Sequence, residues 1–448
     1  MILKLFCLEY NYRLNDFFSD SARDNGYRVG VVTLPFSPTY YAINDPKTLE
    51  FVLKTQFESF EKGKYIDARF HDVLGNGIFN ADGQNWKIQR KTAANIFNIK
   101  AFKDFVADVF EKKVTTVVKI LKGHAEKGEI IDLQKMFFKV TLDGFALIGY
   151  GVELNSLEAD IPFARAFDAA QSIVDYRFIS PFYKFEEILT LNSIRMKHHI
   201  KVIREFANNV IENRVKELSL GTTTRSDLLS LFMGYTHEDG SKFTREQNLD
   251  LVINFIIAGR DTTAQAMSWC VYELNRNPCV LKKLHAEIDG ELGDAELTYE
   301  KVKNMKYANA VFHETLRLWP SVPKDMKQAV REIVLPCGIV VPAGDVITWS
   351  NYAFGRNKNI WGSNALEFYP ERWIEMEKRP SKFEYPVFNA GPRVCLGQAL
   401  AELEGVYVLV SLLRKFDFEV QNIENVRYAN SLTLPMKNGL LCKVSARN

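Results

Sequence analysis

Apolar and polar positions along the chain predict a large helical part flanked by β-rich segments. Residues 27–44 alternate between apolar and polar side chains and are rich in Val, Thr and Tyr, which predicts a β-hairpin. From residue 46 to about 217, apolar residues recur at intervals of three and four, as in amphipathic helices. Residues 329–350 again predict β structure, and residues 432–445 predict a hairpin closed at Lys437-Asn438-Gly439.

Three longer apolar segments in the second half of the chain predict helices. Residues 246–276 form the longest of them, without a proline before Pro278. Residues 301–318 predict a helix that Pro320 ends, and residues 396–416 predict one more. Together these patterns predict a mainly α fold with small β sheets.

Length and composition predict a single domain over residues 1–448, because no linker, internal repeat or change of composition divides the chain. The net charge of +2 gives no reason to expect a nucleic-acid partner. The six cysteines are widely separated, which favours free thiols over a disulfide framework. The seven histidines form no cluster with metal-ligand spacing.

The start of the chain does not predict a membrane anchor. No stretch approaches the roughly 20 apolar residues that a membrane-spanning helix needs. The apolar residues 1–8 are too few, and polar sequence follows them directly.

The most specific chemical signal is Cys395, in the loop Phe-Asn-Ala-Gly-Pro-Arg-Val-Cys-Leu-Gly at residues 388–397. The loop precedes a predicted helix, whose dipole favours negative charge on the sulfur. Gly391 and Gly397 have no Cβ, so backbone N–H groups can approach that sulfur closely. These features predict a cysteine that ligates as a thiolate.

Two further residues of the loop suit a ligand held by that sulfur. Phe388 can shield it from water, and Arg393 can pair with an acidic group on it. A single cysteine cannot build a zinc or iron–sulfur site, but it can hold a haem iron from one side. The alternative for an isolated cysteine is a small buried apolar residue.

The segment Ala258-Gly259-Arg260-Asp261-Thr262-Thr263 places an acid beside a hydroxyl within the predicted long helix. Gly259 offers a flat spot for a planar ligand or dioxygen. Thr262 can bond back to a helical carbonyl. Taken alone, the segment fits a polar kink equally well.

Trp86 and Arg90 lie one helical turn apart and are donors only, which suits carboxylates such as haem propionates. Without a haem site, the same pattern fits an amphipathic helix with a half-buried tryptophan. Lys87 and Lys91 on that segment suit either an acidic partner or a solvated face.

The loop at residues 388–397 matches every fixed position of F-x-x-G-x-R-x-C-x-G and thus resembles the haem-binding loop of cytochrome P-450 enzymes. The segment at 258–263 resembles the oxygen-activation motif of that family. Glu314-Thr-Leu-Arg317, followed by Pro370-Glu-Arg372-Trp, resembles two further family motifs. The four motifs stand in family order and extend the resemblance from about residue 27 to 442.

The resemblance implies a cytochrome P-450 fold that holds haem b between the long central helix and the helix after the cysteine loop. Cys395 would be the axial thiolate ligand, and Ala258 and Gly259 would bind the haem. Thr262 would bond dioxygen, and Asp261 would relay protons. The haem propionates would be held by Trp86, Arg90 and Arg393. A buried structural triad would be formed by Glu314, Arg317 and Arg372.

The resemblance also implies a monooxygenase that takes electrons from an NADPH-dependent P-450 reductase and inserts oxygen from dioxygen into a C–H bond of an apolar substrate. It further implies that the protein is located at the cytosolic face of the endoplasmic reticulum membrane. Because no anchor is predicted, a soluble cytoplasmic form is the alternative. By position, four apolar residues would line the pocket: Ile78, Phe79, Val322 and Leu434.

Four segments resemble the branch of fungal alkane and fatty-acid hydroxylases and plant fatty-acid ω-hydroxylases: residues 258–265, 318–323, 388–393 and 431–439. They suggest hydroxylation of a long-chain fatty acid at or near its ω end, or of an alkane. Two alternatives are an isomerase or dehydratase of lipid hydroperoxides and a haem-binding protein without turnover. The intact pair of Asp261 and Thr262 argues against both.

Overall fold

The computed structural model describes residues 13–97, 100–220, 227–236, 240–293 and 295–447. The helices of the first half of the chain are α1 (Leu14–Asp24), α2 (Pro46–Glu50), α3 (Gly63–Leu74), α4 (Gly83–Phe97), α5 (Lys100–Lys127), α6 (Leu133–Tyr150), α7 (Pro162–Ile179), α8 (Tyr183–Leu189) and α9 (Asn192–Ser219). Those of the second half are α10 (Leu228–Gly234), α11 (Arg245–Arg276), α12 (Pro278–Leu292), α13 (Tyr299–Asn304), α14 (Lys306–Leu318), α15 (Asn351–Phe354), α16 (Lys358–Trp361), α17 (Arg372–Glu375) and α18 (Gln398–Leu413). The fold is mainly helical, as predicted.

The strands form small sheets beside the helices. They are β1 (Gly30–Val32), β2 (Tyr40–Ile43), β3 (Phe60–Glu61), β4 (Ile130–Asp132), β5 (Lys324–Ala329), β6 (Ile333–Val334), β7 (Val340–Val341), β8 (Val346–Ser350), β9 (Phe416–Val420) and β10 (Leu441–Ala446). One sheet has the order β1-β2-β8-β5-β3, a second has the order β4-β10-β9, and β6 pairs with β7. The first sheet carries residues of the candidate site on β5.

Helix α11 forms the centre of the molecule. Thr244 caps its first turn and Gln247 bonds back to Thr244, which completes a capping box. Most of its side chains are buried on every face, and it packs most extensively against α6. A helix that is buried all round gives fixed positions to the residues it carries.

Several predicted elements are confirmed. The hairpin at 27–44 is formed by β1 and β2, with Gly30 opposite Ala42. The predicted helix at 246–276 differs from α11 only by the first residue. The β structure at 329–350 is present, although β5 already begins at Lys324.

The predicted continuous helix at 301–318 is wrong, because Met305 interrupts it with an extended backbone. The carboxylate of Glu287 accepts hydrogen bonds from the backbone N–H groups of Tyr307 and Ala308, both at 2.7 Å. It thereby caps the N-terminus of α14. The break depends on a side chain from α12, which no local pattern reveals.

The predicted hairpin at 432–445 is also wrong. Strand β10 pairs with β9 and β4 rather than with the residues just before it. Those residues are held by helical side chains: the backbone N–H of Leu434 donates to Gln265, and that of Met436 donates to Gln134, both at 2.7 Å. The helix predicted at 396–416 is shorter at both ends, because Phe416 belongs to β9.

Among the described residues, no helix is both long enough and apolar enough to span a membrane. One buried apolar cluster extends from Val73 to Val444 and includes side chains of α6, α11, α14 and α18. A second cluster lies under the first sheet and includes Trp349 and Ala390. Ala390 brings the cysteine loop onto this sheet.

Candidate functional site

The loop around Cys395 is built from short turns that end at the start of α18. The backbone N–H of Cys395 donates to the carbonyl of Phe388 at 2.8 Å, which folds the loop back on itself. The backbone N–H of Gly397 forms a hydrogen bond with the sulfur. The sulfur therefore lies just ahead of the first turn of a helix, as the sequence predicts.

Burial raises the pKa of the Cys395 thiol, while the Gly397 N–H and the charge of Arg90 act in the opposite direction. Solvent reaches part of the residue, but the surrounding protein still desolvates the sulfur. Burial therefore favours the protonated thiol, against the effect of the nearby helix N-terminus. Coordination to a metal ion is what removes a proton from such a thiol.

The two loop glycines serve different purposes. Gly391 has a φ of +63°, and a Cβ there would lie 1.9 Å from the carbonyl oxygen of Leu53. Gly391 is therefore required by close packing against the backbone of Leu53 and not by an approach to the sulfur, which is the reason that the sequence suggested. A Cβ at Gly397 would lie 4.0 Å from the sulfur, so this glycine does border it.

Trp86, Arg90 and Arg393 lie in one cluster beside the loop. The Arg393 guanidinium lies 4.5 Å from the centre of the Trp86 ring. It donates to the carbonyl of Ala81 at 2.8 Å and to the carboxylate of Asp82 at 2.7 Å. Its Nε is buried without a hydrogen-bond partner among the described residues. Burial lowers the pKa of both arginines, so the cluster holds poorly solvated positive charge.

Lys327 on β5 belongs to the same cluster and was not predicted. Its side chain is 1% exposed, and its Nζ has no hydrogen-bond partner in the described part of the chain. Burial, followed by the charges of Arg393 and Lys62, places the pKa of Lys327 well below its usual range. A lone lysine in a short strand carries no sequence signal, because its neighbours are brought there by the fold.

These residues fit haem b. Unpaired donors and poorly solvated cations favour an anionic group, and the haem propionates are such groups. The sulfur of Cys395 supplies one ligand for iron. One protein ligand is enough to hold a haem iron from one side, but it is too few for a zinc site. The described residues contain no group of three or more His, Cys, Asp or Glu that could hold a metal ion.

Asp261 is held between two helices. Its carboxylate accepts a hydrogen bond from Gln171 of α7 at 2.7 Å and one from Arg260 at 3.1 Å. Arg260 also makes two hydrogen bonds to the carboxylate of Asp168, at 2.7 and 3.2 Å. Gln171 and Asp168 were not predicted, since they lie about ninety positions away in the sequence.

Burial raises the pKa of Asp261 to about 6, against the opposing effects of Arg260 and Gln171. A carboxyl group with this pKa both takes up and releases protons near neutral pH. Asp168, in contrast, has a side chain that is 60% exposed. The cluster therefore connects a buried carboxyl group with a solvent-exposed one through one guanidinium.

Thr262 donates to the carbonyl of Ala258 at 2.7 Å, which is the predicted bond back to the helix. Its own carbonyl accepts a hydrogen bond from Ser321 at 2.7 Å. The open face predicted at Gly259 is occupied by the Phe145 ring, because a Cβ at Gly259 would lie 1.9 Å from that ring. The close packing of α6 on α11 therefore requires this glycine.

Glu314, Arg317 and Arg372 lie together in the interior. Arg317 makes two hydrogen bonds to Glu314, both at 2.8 Å, and Arg372 donates to the same carboxylate at 3.0 Å. Trp373 and the backbone of Tyr369 also donate to Glu314. Glu314 is therefore a fully bonded buried carboxylate that joins α14 to α17.

The four predicted pocket residues differ in their surroundings. Leu434 is 0% exposed and packs in the main apolar cluster. Ile78 is also buried in that cluster. Phe79 is 42% exposed, and Val322 is half-buried. Phe79 is joined to α11 by a hydrogen bond from its backbone N–H to Asn254.

Two cavities open elsewhere on the protein. One of about 440 Å³ lies between α7 and α9, and one of about 530 Å³ lies between α3 and the segment at 181–185. Neither is lined by the cysteine loop or by the cluster of Arg393.

The chain belongs to the cytochrome P-450 family. The family model for cytochrome P-450 matches residues 27–443, which include the cysteine loop, α11 and the triad of Glu314. The family binds haem b through a cysteine thiolate, and its members are monooxygenases.

Individual relatives support this assignment over most of the chain. The chain is 37% identical to the cytochrome P-450 monooxygenase cyp1 of Mycosarcoma maydis, over 93% of this chain and 69% of that protein. It is 35% identical to cytochrome P-450 704B1 of Arabidopsis thaliana, over 94% of this chain and 89% of that protein. It is 36% identical to cytochrome P-450 86B1 of the same plant, over 90% and 77% of the two chains.

Proposed function

We propose that this cytochrome P-450 hydroxylates long-chain fatty acids at or near the ω end, or alkanes, in one domain with haem b held by Cys395. The observation that carries the haem assignment is the pairing of the Cys395 loop with a cluster of buried, unpaired donors beside it. The observations that bear on substrate are the lineage motifs, above all Arg260 between Gly259 and Asp261.

Bound haem activates dioxygen and oxidises the C–H bond, while the protein residues position the haem and supply protons. Cys395 would ligate the iron. The propionates would be held by charge and hydrogen bonds from Arg393, Lys327, Trp86 and Arg90. Their desolvation strengthens each of these bonds, since the local dielectric constant is lower than that of water.

Two residues of α11 would handle the proton that the reaction needs. Thr262 offers its hydroxyl to dioxygen once it releases the carbonyl of Ala258. Asp261 takes up protons from solvent and passes them inward, which suits its pKa of about 6. Gln171 and Arg260 each occupy one acceptor position of this carboxylate, which leaves further lone pairs for a proton.

The family generally uses a redox partner, and we propose an NADPH-dependent flavoprotein reductase as the donor to this chain. We also propose that the protein works at the cytosolic face of the endoplasmic reticulum membrane. Support comes from a surface in which large apolar side chains are more than half exposed: Phe182, Phe185, Ile188, Leu189, Leu191 and Ile194. Such a patch favours a lipid surface. Sedimentation with anionic liposomes, abolished by Phe185→Ser with Ile188→Ser, tests this part.

The test of the function is an optical titration of the purified haem protein, followed by product analysis with a reductase and NADPH. We expect saturable low- to high-spin shifts with long-chain fatty acids, and hydroxylated products oxidised near the chain end. Shifts with sterols only would refute the proposed substrate. Product without NADPH from a lipid hydroperoxide would instead support the isomerase alternative.

A further inference from the structure

The polar cavity of about 440 Å³ between α7 and α9 is lined by none of the residues that would hold the haem. Ser172 and Asp175 contribute to it from α7, and Arg195 and His199 contribute from α9. Asn430 closes it from a third side. The cavity thus joins two helices to the segment that leads to β10.

Among the described residues, one cation of this cavity has no charged partner. Asp175 pairs with Lys324 at 3.8 Å, so its negative charge is offset. Arg195 is exposed and makes no ion pair or side-chain hydrogen bond with any residue in the described part of the chain. Burial, followed by the charge of His198, lowers the pKa of His199, so its imidazole is neutral near pH 7 and donates through N–H. An unpaired guanidinium beside a neutral donor suits a carboxylate.

The walls of the cavity lead towards the turn of α11 that carries Thr262. On one side, Lys324 follows Ser321 by three residues, and Ser321 donates to the carbonyl of Thr262 at 2.7 Å. On the other side, the closing segment continues to Thr433, which accepts a hydrogen bond from Gln265 at 2.7 Å. Each of these two connections, from Lys324 to Ser321 and from Asn430 to Thr433, covers three residues and therefore spans at most about 10 Å. Thr262 and Gln265 lie three positions apart on one face of the helix.

We propose that this cavity binds the carboxylate of the fatty-acid substrate, with Arg195 as the residue that distinguishes an acid from an alkane. The acyl chain then runs between the two walls towards Thr262, and its far end reaches the haem. This inference rests on the proposed function and deepens it, because it selects fatty acids over alkanes and the ω end over the carboxyl end.

The experiment compares hexadecanoic acid with its methyl ester, which has the same chain and no charge. Both are titrated optically into the haem-loaded protein and into Arg195→Gln, Arg195→Lys and Lys201→Gln. Lys201 serves as the matched control, because it is an exposed cation further along the same helix. Arg195 is exposed, so its variants should fold, and the reduced carbon monoxide spectrum verifies this. Ser172→Trp, which fills the cavity without removing a charge, provides an independent variant.

We expect Arg195→Gln to weaken binding of the acid about tenfold and to leave the ester unchanged, since a hydrogen bond to a charged group is lost. Arg195→Lys should restore part of the affinity, Lys201→Gln should have no effect, and Ser172→Trp should weaken the acid. If Arg195→Gln lowers acid and ester equally or neither, the inference is overturned, and the cavity with Lys64 and Lys184 becomes the candidate for the head group. If the unaltered protein binds neither compound, the proposed function itself fails.

Discussion

Gln171 on α7 donates a hydrogen bond of 2.7 Å to Asp261 on α11, so the proposed proton carrier is held from a neighbouring helix. Arg260 holds the other oxygen of the same carboxylate at 3.1 Å. Both contacts stabilise the charged form of Asp261, but burial has the larger effect and raises its pKa to about 6. The charged form of Asp261 therefore destabilises the folded state.

The first prediction concerns the pH dependence of the free energy of unfolding that follows from this destabilisation. Because the folded pKa of Asp261 exceeds its unfolded value, its contribution to stability is present below the ordinary carboxyl pKa and is lost as the pH rises through about 6. The loss is on the order of 3 kcal/mol. Asp261→Asn should remove this dependence from the free energy of unfolding, measured with denaturant from mildly acidic to neutral pH. Asp24→Asn, at an exposed position, should keep it. An unchanged pH dependence in Asp261→Asn would contradict the pKa shift.

The second prediction concerns Thr262. Thr262→Ala should retain haem, because the side chain bonds only to the helix itself. It should also lower the product formed per NADPH several-fold, with hydrogen peroxide formed in place of product. The neighbouring buried Thr263 provides the control, as Thr263→Ala leaves the proposed hydroxyl in place. Equal coupling of product to NADPH in both variants would show that Thr262 has no part in proton delivery.

The third prediction concerns the iron ligand. Cys395→Ser should abolish the thiolate-type spectrum of the reduced carbon monoxide complex, because a hydroxyl cannot replace the sulfur as an electron-rich ligand. Cys337→Ser, which changes an exposed cysteine, should leave the spectrum unaltered. The assignment is refuted if the Cys395 variant keeps the spectrum.

The fourth prediction concerns Lys327, whose buried amine has no partner among the residues that the structure describes. Lys327→Met should stabilise the haem-free protein by about 1–3 kcal/mol, since an unsatisfied polar group is replaced by an apolar one. It should also speed the loss of haem to apomyoglobin, because a propionate partner disappears. Lys443→Met on the exposed side of β10 should change neither quantity. Slower or equal haem loss in Lys327→Met would exclude Lys327 from the haem site.

The fifth prediction concerns the triad. Glu314→Ala leaves Arg317 and Arg372 buried without their common partner, which should cost about 3–5 kcal/mol and sharply reduce the yield of haem protein. Glu424→Ala has the same spacing to an arginine, but Arg427 there donates to the main-chain carbonyl of Glu424. It should therefore be nearly silent. Similar yields of haem protein for the two variants would mean that the triad does not support the fold.

The sequence predicts those parts of the fold and site that depend on local patterns. The long helix is defined by its own uninterrupted apolar segment, and the pair of Glu314 and Arg317 is defined by their spacing along one helix. The parts that were missed depend on partners distant in the chain. Glu287 interrupts a helix that its own residues would continue, and Gln171 and Lys327 acquire their roles only when other elements pack beside them.

The position of β10 has a consequence for synthesis of the protein. Leu441 pairs with Asp132, and Asp132 both caps α6 and accepts a hydrogen bond from the backbone N–H of Leu440. The start of α6 is therefore completed only by residues translated some three hundred positions later. A growing chain on the ribosome holds this helix, and α11 packed against it, without β10 until residues 441–446 have left the exit tunnel.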